Sequence, residues 1–143
     1  MPASFRFDPL IKIRENLRDQ RRRELTQAEA DADFERLRLA EAEKALEKNL
    51  ADWNAAADES SPSVETLALL QRNRDRLRRI RTEIADNTAR LDKEVEQRRT
   101  AFDEAVRDVR VLDQLRERRR NEESADEKKT EQKELDEMGR RKK

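Results

Sequence analysis

Gln71 to Arg81 reads QRNRDRLRRIR and carries six guanidinium groups, on Arg72, Arg74, Arg76, Arg78, Arg79 and Arg81. A guanidinium is a permanently charged planar fork that grips carboxylate or phosphate with two parallel hydrogen bonds. The run could therefore serve nucleic acid, an anionic membrane or an acidic protein surface. Two further clusters offer the same chemistry: Arg21, Arg22 and Arg23 together with Arg98 and Arg99, and Arg118, Arg119 and Arg120. The charge balance favours the acidic protein. The chain has 34 basic and 34 acidic residues, and a zero balance argues against a surface built as a whole to coat DNA or lipid. No aromatic residue interrupts the arginine run, so the base stacking of single-strand binders is missing. No nucleic-acid partner and no membrane insertion is expected.

Other chemistries find no residues to carry them. The 143 residues contain no cysteine and no histidine, which removes thiolates, disulfides, zinc–sulfur sites and the commonest general base. The one glycine, Gly139, cannot form a phosphate-cradling loop. Carboxylates are plentiful but form no pocket-like constellation, so neither an enzyme nor a cofactor or metal site is expected. The start, MPASFRFDP, lacks a run of signal-peptide length. No stretch approaches the roughly 20 apolar residues of a membrane span. The expected setting is soluble and intracellular.

The elements that position these arginines must be long helices. Leu, Ile, Val and Phe number only 28, against 17 alanines and one glycine. That is too little bulk for a globule but enough for helices that share a thin seam. Asp8-Pro9 reads as an N-cap with proline in the first turn, and Ser61-Pro62 repeats the signal after DESSPS. No breaker lies between them, and none follows until Gly139. The reading is a helix over 9–57, a turn over 58–63 and a second helix from 64.

Heptads support it. In the second helix Leu67, Arg74, Arg81, Thr88, Val95, Phe102 and Val109 hold one seam position. Leu70, Leu77, Ile84, Leu91, Arg98, Ala105 and Leu112 hold the other. In the first, Leu25, Ala32, Leu39, Leu46 and Trp53 recur every seventh residue, with Ala28 and Ala42 between them. Leu10, Ile13 and Leu17 are expected to continue that stripe, with one inserted residue before Leu25 that changes the winding locally.

An antiparallel hairpin centred between Ser61 and Pro62 sets Trp53 against Leu70, Leu46 against Leu77, Leu39 against Ile84 and Ala32 against Leu91. The next layers pair Asn49 with Arg74, Ala42 with Arg81, Glu35 with Thr88 and Ala28 with Val95. Beyond the inserted residue, Leu17 would meet Ala105, Ile13 would meet Val109, Leu10 would meet Leu112 and Phe7 would meet Leu115. The fold class is thus all-α: two long helices in an antiparallel coiled-coil hairpin over 1–115, with a charged C-terminal helical overhang or tail over 116–143. About fifty residues per arm would span roughly 75 Å at 1.5 Å per residue.

This frame sorts the arginines. Arg74 and Arg81 fall in the seam, where their stems can cover apolar surface while the charged ends reach water. Arg78 can face Glu43. Arg72, Arg76 and Arg79 share the outer face, which reads either as a solvated face or as a docking surface for an acidic partner. Arg21–Arg23 should lie near Arg98 and Arg99, with Glu24 and Glu29 to offset the repulsion. Between Arg116 and Glu134 the only apolar residue is Ala125; Leu135 and Met138 then reappear, either as an anchor that becomes buried in a partner or as a fortuitous pair.

The opening FRFDPLIKIRE, the charged two-helix body and the closing KELDEMGRR together resemble the flagellar type III export protein FliJ, and injectisome stalk proteins look similar. The matching residues are Phe5, Phe7, Leu10, Ile13 and Arg14 at one end and Leu135, Asp136 and Glu137 at the other. The resemblance implies a stalk-like coiled coil without catalytic activity, cytoplasmic and peripheral to the membrane at the flagellar base. Its implied partners are the hexameric export ATPase, the cytoplasmic domain of the export-gate membrane protein, and export chaperones. The family's gate-contact region falls around Leu70, Leu77 and Ile80. The rival reading is a generic coiled-coil scaffold or cochaperone with no ATPase partner.

Overall fold

Pro9 enters the first helical turn, where its missing amide proton leaves nothing unsatisfied, and no further proline interrupts the chain before Pro62. The resulting helix α1 runs Asp8–Ala57, and α2 runs Val64–Arg141. These come from a computed structural model that describes residues 6–141; Phe5 lies outside the described residues. The fold is all-α, two long helices packed on each other as a hairpin, with no strand among the described residues.

Local chemistry sets the ends. The Asp58 amide donates to the Asn54 carbonyl at 3.1 Å as α1 closes. At the start of α2 the capping role falls to Ser63 rather than Ser61: its hydroxyl accepts from the Thr66 amide at 3.3 Å, and its carbonyl from the Leu67 amide at 3.0 Å. Glu65 in the first turn and Arg140 and Arg141 in the last complement the helix dipole. Gly139, expected to stop the helix, is passed without a break. A single glycine weakens a helix by only about 1 kcal/mol.

The chain divides into two compact units, Arg23–Thr100, and Met1–Arg22 with Ala101–Lys143. In Arg23–Thr100 the end of α1 and the start of α2 form the hairpin. Its core joins Ala28 and Ala32 to Leu91 and Val95, with Leu25 packed beside them. The alanines let the two backbones approach, and the larger residues come from α2. Ala42 and Ile84 are also buried, as are the polar Glu35, Asn49 and Thr88. Leu39, Leu46, Trp53, Leu70 and Leu77 are half-buried. Arg36 pairs with Asp92 across the helices, Arg98 with Glu24 at 3.3 Å and Arg99 with Glu29 at 3.7 Å.

In the other unit the first two turns of α1 pack on α2 through Ile11, with Ala105 and Val109 buried opposite. Here the sequence expectation fails in part: Leu17 is half-buried, but the rest of the expected stripe toward the N-terminus is not. Leu10 is 37% and Ile13 62% exposed, while Ile11 is only 3% exposed. Phe7 and Leu115, expected as a pair, are each 41% exposed. Counting back in sevens from Leu25 passes through Arg18 to Ile11, and from Ala28 through Arg21 to Arg14, and Arg14, Arg18 and Arg21 are all half-buried. The heptad continues without an inserted residue. Arginine stems cover apolar surface well enough to hold seam positions, which avoids the overwinding or underwinding that a skip would demand. Arg14 then reaches Asp108 at 3.8 Å, and Arg116 reaches Asp8 at 4.0 Å.

Candidate partner-binding surfaces

The outer face of early α2 presents Arg72, Arg76 and Arg79, all exposed, with Arg78 and Arg81 beside them. None of these five makes an ion pair among the described residues. Arginines farther along the same helix behave differently. Arg90 lies 4.0 Å from Glu94, Arg98 reaches Glu94 as well as Glu24, and Arg99 reaches Glu96 as well as Glu29. The stripe thus makes no close ion pair among the described residues, while the later arginines do.

Three shallow depressions adjoin the stripe. One is lined by Leu69, Leu70, Arg72, Asn73 and Arg76, and a second by Arg78, Arg79, Thr82 and Glu83. The third is a cleft between the helices, where Leu46 and Leu50 underlie Glu43 and Glu47 on one side and Arg74, Arg78 and Arg81 on the other. Arg78 and Glu43 share this cleft, as their heptad positions suggested, but they form no ion pair. Leu77 and Ile80 are half-buried at the base of the stripe.

Arg74 departs from the expectation that its charged end reaches water. Its guanidinium lies over the Trp53 ring, 4.8 Å from the centroid, and its Nε donates to Asn49 Oδ1 at 3.2 Å. Asn49 Nδ2 donates in turn to the Leu70 carbonyl at 3.1 Å. Arg74 is thus part of the seam's fabric, whereas Arg81 is exposed.

The second cluster is largely offset. Arg98 and Arg99 meet Glu24 and Glu29 across the helices. Arg21 is half-buried, Arg22 and Arg23 are exposed, and Arg21 and Arg22 both interact with neighbours. On the last part of α2, Arg118 and Arg120 are exposed and Arg119 lies 3.6 Å from Glu123. Leu135 and Met138, three residues apart on one helical face, are 62% and 64% exposed.

The Glu35 carboxyl is held in its charged form by its neighbours. Arg38 donates to its Oε1 at 2.8 Å, and together with a hydrogen bond from Asn87 this holds its pKa below the ordinary carboxylate value. Its Oε2 is buried without a hydrogen bond. Among the described residues no group of three or more potential ligands could hold a metal ion, and no helix is long and apolar enough to cross a membrane.

Sequence reasoning passed over Leu50 and Leu69, which are 52% and 66% exposed and border the arginine surface. Both sit beside a heptad position rather than on one, and a leucine out of register on a highly charged helix is the signal that marks them. Phe34 and Leu37, 62% and 66% exposed on α1, have the same character.

Compared with known protein families, the chain matches over residues 3–142 the one described as Flagellar FliJ protein. No curated protein and no solved structure matches it.

Proposed function

This chain belongs to the FliJ family of flagellar proteins, and on that premise we propose that it serves the flagellar type III protein export apparatus as a stalk-like, non-catalytic subunit. In this reading it works in the cytoplasm, peripheral to the membrane at the flagellar base. The end of α2 that carries Arg118, Arg119 and Arg120 and the apolar pair Leu135 and Met138 enters the ring of the hexameric export ATPase. The stripe of Arg72, Arg76 and Arg79, with Leu77 and Ile80 at its base, faces the export gate or an export chaperone. Arg21–Arg23 with Arg98 and Arg99 form a second, weaker contact.

The observation that carries the reading is the state of α2 beyond Arg116. It stays helical to Arg141 although no residue there is buried. A helix in a ring centre needs this character: charged for loose contact, and without a large apolar patch that would lock it in place. The test is a chain lacking residues 116–143, compared with the full chain in ATPase binding and ATP hydrolysis assays. The full chain is expected to raise hydrolysis and hexamer formation, and the shortened one to stay helical yet bind no ATPase. Equal stimulation by both would remove the segment from the contact. Failure of both to bind would leave a coiled-coil scaffold or cochaperone role in place of the stalk.

A further inference from the structure

The unpaired stripe has a sequence complement within the same chain. Arg72, Arg76 and Arg79 follow at steps of four and three, with exposed Leu69 before them on the same face. Late α2 carries the opposite pattern: Glu123, Glu127 and Glu131 at steps of four, then Leu135 four residues on and Met138 three beyond. Between Glu122 and Glu137 there are eight carboxylates against three lysines. Glu127 and Glu131 make no ion pair among the described residues, and Glu123 reaches only Arg119, at 3.6 Å. Both stripes lie on one uninterrupted helix, so a molecule cannot lay one on the other while α2 is helical.

We propose that the two stripes meet between copies: segment Glu123–Met138 of one chain docks antiparallel on Glu65–Ile80 of another. Setting Glu131 opposite Arg72 brings Glu127 opposite Arg76 and Glu123 beside Arg79, because both helices advance by the same step. The same register carries Leu135 to the depression lined by Leu69, Leu70, Arg72, Asn73 and Arg76. A parallel arrangement matches the charges but sets Leu69 against Arg120 and leaves Leu135 at buried Ile84. The antiparallel docking alone satisfies charge and apolar contact together, and it sets the two helix dipoles head to tail. Nucleic acid fits the stripe less well, since no aromatic lies in it for base stacking.

Exposed ion pairs are screened by salt over about 10 Å at 0.1 M, so the association is weak and salt-sensitive. Its effect is to cover the stripe and the end of α2 at once, withholding both from other partners. The inference does not rest on the export reading, because the chain alone is enough to test it.

The experiment is sedimentation velocity on the full chain at low and high ionic strength. The mass should exceed the 17.0 kDa of one chain at low salt and fall to it at high salt. One variant carries Arg72→Glu, Arg76→Glu and Arg79→Glu; a second carries Glu123→Arg, Glu127→Arg and Glu131→Arg. Each alone should stay monomeric at low salt, with circular dichroism confirming unchanged helix content. An equimolar mixture should associate again, because the reversed stripe of one now fits the reversed stripe of the other. A monomeric wild type at low salt overturns the proposal, as does association of either variant alone or a mixture that stays monomeric. A wild-type chain that stays monomeric but binds a single-stranded oligonucleotide or polyglutamate overturns it equally and assigns the stripe to another polyanion.

Discussion

The guanidinium of Arg74 stacks over Trp53 at 4.8 Å, and this contact joins the two helices of the hairpin at a polar layer in an otherwise largely apolar seam. Asn49, 3% exposed, links the same arginine to the Leu70 carbonyl. A buried polar residue in a coiled coil fixes the register at some expense of stability, because any slip strands a group that has lost its contact with water. One Arg74 nitrogen, Nη2, is already buried without a hydrogen bond.

Asn49→Ala leaves Arg74 Nε and the Leu70 carbonyl short of a partner, and should lower stability by about 1–3 kcal/mol. Trp53→Leu keeps apolar bulk but removes the ring, a loss of about 0.5–2 kcal/mol for the cation–π contact. Urea unfolding followed by circular dichroism measures both. A change below about 0.5 kcal/mol in Asn49→Ala would mean that the layer is open to water in solution.

The register of the first turns gives a sharper contrast. Ile11 is 3% exposed and Ile13 62%, so Ile11→Ala should cost about 2–4 kcal/mol and Ile13→Ala under about 0.5 kcal/mol. The opposite order would restore the stripe through Leu10, Ile13 and Leu17 with its inserted residue.

That contrast also shows where the sequence was legible. From Leu25 to Trp53 and from Leu67 to Val95, aliphatic residues and alanines recur at heptad spacing, and the layers Ala32 with Leu91 and Ala28 with Val95 are found in one core. Toward the N-terminus the seam positions fall to Arg14, Arg18 and Arg21, and an eye for apolar residues alone moves to Leu17 and Ile13 instead. Hydropathy treats arginine as a charge, but its stem is three methylene groups long and packs as such. The pairing of Asn49 with Arg74 was readable from the heptads. The Trp53 stack was not, because a seam pattern gives layers and not the direction in which a long side chain turns. The lack of ion pairs along the arginine stripe was equally hidden: whether Arg78 finds Glu43 depends on rotamers.

Glu35 provides a pH-dependent prediction. The hydrogen bond from Arg38, aided by that from Asn87, lowers its pKa in the folded chain. A carboxylate with a depressed folded value contributes stability that is fully present above its unfolded pKa and is lost as pH falls through the folded one. The loss should therefore begin near the ordinary value of 4.5 and continue below it. Glu35→Gln removes this titration, so the difference in urea midpoint between wild type and variant should shrink as pH falls through that window. A difference that stays constant from neutral to acid pH would show that Glu35 titrates alike in the folded and unfolded chains.

The last prediction separates charge from apolar contact at the end of α2. Arg118, Arg119 and Arg120 lie on the part of α2 that has no buried residue, and their one ion pair among the described residues, Arg119 with Glu123 at 3.6 Å, is exposed. Such a pair contributes only about 0.2–1 kcal/mol, so changing all three to glutamate should leave the unit's helix content intact. If these arginines approach the export ATPase through carboxylates, the variant should bind it at least about tenfold more weakly, a difference of about 1.4 kcal/mol. Most of the effect should lie in the association rate and should fade at high salt, as for charges at the rim of an interface. Leu135→Ser with Met138→Ser should act differently: an apolar anchor that becomes buried is lost at every salt concentration, mainly through faster dissociation. Surface plasmon resonance on the immobilised ATPase across a salt series resolves the two. Unchanged kinetics in the arginine variant would remove Arg118–Arg120 from the contact, and unchanged kinetics in the serine variant would reduce Leu135 and Met138 to solvated residues.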